Sequence, residues 1–131
     1  MLLERGVLYR MAAPRMYNLH MASWQEDIRS ELAAAIRARE AGNEGRARVC
    51  ARRAAGIAAR EYLLLQGEQT NGSGYDLLLR LQGRSELAAS SLKAAEQLTW
   101  RVGEDFSLPE GVDLIAQAQH LCLTLCPDLS L

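Results

Sequence analysis

The chain lacks any stretch of the roughly 18 to 20 uncharged apolar residues that a bilayer-crossing helix requires, so no membrane span is expected. Its first ten residues carry Glu4 ahead of any apolar run and show no cleavage signature, so they do not read as a secretory signal. Cysteine occurs three times, at Cys50, Cys122 and Cys126. An odd number without an export signal points to free thiols in a reducing compartment, and a cytoplasmic location is expected. Histidine is confined to His20 and His120, and neither sits in a recognisable motif with a nucleophile. No glycine-rich phosphate loop of the nucleotide-binding kinds occurs. Cys122 and Cys126 lie one helical turn apart near His120. Zinc needs three or four convergent ligands, however, and no second cluster supplies them. No metal and no cofactor is expected, and Cys122 reads as a small core hydrophobe.

The 131 residues have room for one domain, and 49% apolar with 24% charged residues is the balance of a globular protein. The net charge of −1 hides an asymmetry. Residues 1 to 60 hold 11 arginines against 6 acids, whereas residues 61 to 131 hold 4 basic residues against 10 acids. The two halves either offset each other in the fold or present faces of opposite sign.

Apolar periodicity is helical almost throughout. Ser23-Trp24-Gln25-Glu26 fits a capping box, and Trp24, Ile28, Leu32, Ala35 and Ile36 follow at spacings of three and four up to Gly42. Asn43 caps a second helix that runs without proline to Gly67, about 34 Å at 1.5 Å per residue. Its many alanines, with Gly56, favour close helix approach, which places it at the centre of the fold. The apolar-free run from Gly67 to Gly74 reads as a mobile surface loop. A short helix from Tyr75 to Gln82 follows, and the dipole at its start favours Asp76. Ser85 then opens a third long helix reaching Gly103, with Leu87, Ala94, Ala95, Leu98 and Val102 inward. Ser107-Leu108-Pro109-Glu110 is a second capping box and opens a fourth helix that ends at Pro127. The fold class expected is all-α: an up-and-down bundle of four helices of comparable length, with a short extra helix between the second and third. Residues 22–131 form that single domain. Residues 1–21, interrupted by Pro14, form an N-terminal extension.

Two groups of side chains carry possible binding chemistry. Arg46, Arg53 and Arg60 recur every seven residues along one stripe of the second helix, while Arg48 and Arg52 lie on another. Forked guanidinium donors in such a row either grip phosphate or carboxylate groups, or form a solvated face paired to the acids of the later helices. Tyr62 and Tyr75 flank the glycine-rich loop, where they either border a ligand cleft or pack on the core edge with their hydroxyls in water.

The segment from Ala33 to Leu81 resembles the HEPN superfamily of four-helix proteins. The resemblance rests on an alanine-rich first helix, a Gly-Asn-Glu-Gly link, the run Ala47-Arg48-Val49-Cys50-Ala51-Arg52-Arg53-Ala54-Ala55-Gly56-Ile57-Ala58, then Tyr62-Leu63 and Gly74-Tyr75-Asp76-Leu77-Leu78. Where that superfamily often has histidine before Asp-Leu, this chain has Tyr75. The resemblance implies one of two roles. The first is a non-catalytic module that partners a nucleotidyltransferase, binds its substrate or holds a nucleotide-like anion. The second is a metal-independent ribonuclease with an Arg-x4-6-His motif near the last long helix. Arg15 and His20 make one literal match to that motif, ahead of the first long helix, and no arginine precedes His120 at the required distance. The expectation is therefore the non-catalytic module, acting as a homodimer on RNA or a nucleotide. The ribonuclease and a helical scaffold without a small ligand are the alternatives.

Overall fold

The computed structural model describes residues 23–100 and 111–131, and among these there are five α-helices and no strand. They are α1 (Trp24–Glu40), α2 (Glu44–Leu65), α3 (Gly74–Leu81), α4 (Ala89–Leu98) and α5 (Leu114–Leu125). The expected all-α class holds. None of the described helices is long and apolar enough to cross a membrane. The N-terminal extension, with Arg15 and His20, and the capping box at 107–110 lie outside the described residues.

Local chemistry sets most helix ends. The Ser23 hydroxyl accepts from the Glu26 amide at 3.1 Å, and Asn43 Oδ1 accepts from the Arg46 amide at 3.1 Å. Gly42 and Gly67 take φ of +81° and +78°. Each closes a Schellman turn: Asn43 N–H reaches the Ala38 carbonyl at 2.8 Å, and Glu68 N–H reaches that of Leu63 at 3.1 Å. A left-handed residue there favours glycine.

Helix α2 is the centre, as its composition predicts. Ala47, Cys50, Ala51, Ala54, Ala55, Ala58, Ala59 and Leu63 are fully buried, and α2 packs against α1, α3 and α5. With methyl groups in place of long side chains, neighbouring backbones approach closely. The thiols of Cys122 and Cys126 point at the Ala54 and Ala58 carbonyls at 3.6 and 3.8 Å. These paired contacts run in the same direction, so α2 and α5 are parallel. Helix α1 opposes α5: Arg39 near its end meets Asp113, the cap of α5, and Arg29 near its start donates to the Ser130 carbonyl. Helix α4 packs against α5 as well, with Ser90 at its start meeting His120 in the middle of α5.

Four expectations need correction. The helices are not of comparable length, with 17, 22, 10 and 12 residues in α1, α2, α4 and α5. Helix α4 starts at Ala89 and not after Ser85, because Glu86 is held by Arg84 and by the Tyr62 hydroxyl, which keeps 84–87 in a turn. It stops at Leu98, where Arg52 donates to the Leu98 and Trp100 carbonyls at 2.8 and 3.0 Å and satisfies orphan acceptors of the helix end. Helix α5 starts at Leu114, after Gly111 at φ +86°, with Asp113 Oδ1 accepting from the Ile115 and Ala116 amides. Asp76 also does more than meet a dipole: it closes a full capping box with Ser73, at 3.0 and 3.2 Å.

The loop expected to be mobile is tied down. Arg80 holds the Gln69 carbonyl at 2.8 Å and the Glu68 carboxylate at 2.9 Å, Arg84 binds the other oxygen of Glu68, and Arg60 holds the Gly72 carbonyl at 3.0 Å. These bonds fix where the loop delivers α3.

A candidate anion-binding groove on helix α2

Positions 49, 52, 53, 56, 57 and 60 of α2 follow one another at helical spacing and form the face opposite its alanine side. At the middle of that face is Gly56. The start of α3 lies directly on it: a Cβ built on Gly56 would stand 2.8 Å from the Gly74 Cα, and one built on Gly74 would stand 3.1 Å from the Gly56 Cα. Backbone therefore rests on backbone, and the side chains on either side rise above this floor. The result is an open groove of about 400 Å³ between α1, α2 and α3. Its walls are Val49, Arg52, Arg53, Ile57 and Arg60 of α2, Glu31 of α1 and Tyr75 of α3.

Arg53, Arg60 and Tyr75, three of the five residues expected to bind ligand, come together here. Arg46 and Tyr62 do not. Arg46 is exposed at the first turn of α2, and seven residues of drift along the helix take it past the end of the groove. Tyr62 donates its hydroxyl to Glu86 at 2.8 Å on the far side of the loop. Burial first, and then this bond, raise the Tyr62 phenol above its ordinary value. In turn the phenol is the leading influence holding Glu86 low. Tyr62 thus secures the turn before α4.

The three groove arginines are not equivalent. Arg52 is half-buried and committed to the end of α4; burial, and then the like charge of Arg48, lower its pKa from the ordinary arginine value. Arg60 is half-buried and holds Gly72. Arg53 is exposed and, among the described residues, makes no hydrogen bond or ion pair. Its forked donors are the ones open to an incoming anion.

Helical periodicity sets Arg52 on a different stripe from Arg53 and reveals neither Glu31 nor the Gly56–Gly74 contact. Long side chains one residue apart on a helix nonetheless reach the same cleft, and Arg52 and Arg53 both line this one. A glycine amid arginines at spacings of three and four was the available signal for Gly56. Nothing in the sequence pointed to Glu31, since it enters from another helix.

The cysteines belong to the core. Burial pushes the Cys122 thiol up to about 12 and the Cys126 thiol up to about 11. Among the described residues no three His, Cys, Asp or Glu side chains gather as a metal site. The chain matches no family model, no curated protein and no solved structure.

Proposed function

We propose that this chain is a non-catalytic binding module of the HEPN kind, in which α1, α2, α4 and α5 form an up-and-down four-helix bundle and α3 is the extra helix. The opposed directions of α1 and α5, and the parallel pairing of α5 with α2, support that arrangement. The ligand of this reading is a nucleotide-like anion. A second copy and a nucleotidyltransferase are its protein partners.

The observation that carries the binding role is the convergence of Arg53, Arg60 and Tyr75 over the Gly56–Gly74 floor. Phosphate oxygens suit guanidinium forks, and an aromatic ring beside them suits a base. The groove volume falls within the range of small-molecule sites, about 300 to 1,000 Å³.

The test is calorimetric titration of inorganic phosphate and nucleoside monophosphates into the full chain at low salt. Arg53→Ala is expected to weaken binding about tenfold, the order set by one lost charge-assisted hydrogen bond. Added salt weakens what remains through screening. A chain that binds none of these anions at millimolar concentration would sink the reading.

A further inference from the structure

Among the described residues, Glu31 is the one acidic side chain that lines the groove, and it makes no hydrogen bond or ion pair with the arginines there. A carboxylate on this wall weakens the hold of the groove on a plain anion, because it repels what Arg53 attracts. It is useful only to a ligand with two unlike ends. We infer that the groove selects a guanine mononucleotide, with the phosphate on Arg53 and Arg60 and the base edge on Glu31. This rests on the reading of the groove as an anion site.

The chemistry of the base edge decides among nucleotides. A carboxylate is acceptor-only and offers two oxygens side by side. Guanine presents two adjacent donors, the ring N1–H and the 2-amino group, which match both oxygens in parallel. Adenine presents one amino group beside a ring acceptor. Uracil presents one N–H between two carbonyls that the carboxylate repels. Tyr75 stands half-buried on the same wall as Gly74 and borders the space a base would fill. The closeness of Gly74 to Gly56 keeps the floor clear of side chains, so a flat ring can lie against backbone. A volume of about 400 Å³ suits one nucleotide and not a folded macromolecule.

The experiment titrates GMP, AMP, UMP and inorganic phosphate into the full chain, its Glu31→Ala variant and its Arg53→Ala variant, with circular dichroism confirming helix content in each. GMP is expected to bind about tenfold more tightly than AMP or UMP, the lower end of what a bidentate base contact contributes to discrimination. Glu31→Ala removes that preference and leaves UMP and phosphate binding unchanged or stronger. Arg53→Ala weakens all four. If the three nucleotides bind alike and Glu31→Ala alters no order of affinity, the guanine inference is overturned while the anion site stands. If neither nucleotides nor phosphate bind, the anion site falls and the inference falls with it.

Discussion

Gly56 is the residue on which the groove depends. In an isolated helix, exchanging glycine for alanine stabilises by about 1 kcal/mol through propensity. Here the added methyl would stand 2.8 Å from the Gly74 Cα, which is backbone that cannot swing aside. Forcing a methyl into such a contact costs about 1 to 3 kcal/mol. The clash outweighs the propensity, so Gly56→Ala is expected to lower the thermal midpoint. Gly74→Ala, with its closest contact at 3.1 Å, is expected to lower it less. A Gly56→Ala protein as stable as the parent would show that α3 does not rest on α2 in this way. Arg52 makes a related point. Its place in the sequence suggests a surface charge, yet it is half-buried and closes the end of α4.

At the scale of the helices, stability gathers where termini meet. The end of α1, the start of α2 and the start of α5 are joined by Arg39, which bonds Glu44 at 2.7 Å and Asp113 at 2.9 Å. Asp113 also caps α5, accepting from two amides at 3.1 and 3.3 Å. The cap is the larger effect. An N-cap lost to alanine costs about 1 kcal/mol, and a half-exposed ion pair adds a fraction of that. Asp113→Ala is therefore expected to destabilise by about 1 to 2 kcal/mol, read from the urea midpoint. Asp113→Asn keeps a capping oxygen and loses only the charge, so it recovers most of the difference. Equal losses from both substitutions would place the weight on the ion pair instead.

For the whole molecule, the test is whether one core encloses all three thiols. Cys50 on α2 and Cys122 on α5 have no exposed surface, and Cys126, which caps the end of α5, has 5%. Burial raises the Cys122 and Cys126 thiols well above the ordinary cysteine value, so the reactive thiolate is scarce at mild pH. A thiol reagent at pH 8 is expected to leave all three unlabelled in the native chain and to label all three in denaturant. Rapid labelling of Cys122 without denaturant would mean that α5 does not stay docked on α2. Charge shows the same integration. The basic first half and the acidic second half meet at Arg39 and Asp113, while the groove keeps Arg53 apart from such pairing.

The helical class, the central position of α2 and the starts of α1 and α2 were all determined by the sequence alone. Their causes are local: apolar spacing, small side chains, and Ser23 and Asn43 capping their own helices. The two ends of α4 were decided by tertiary structure, because Arg52 and Tyr62 reach them from distant parts of the chain. The same holds for the groove. Arg53 and Arg60 were legible as a row on one helix, whereas Glu31 and Tyr75 join them only when α1 and α3 are laid against α2. A periodic pattern specifies the faces of one helix, and a site spanning three helices exists only after long-range packing has chosen which faces meet.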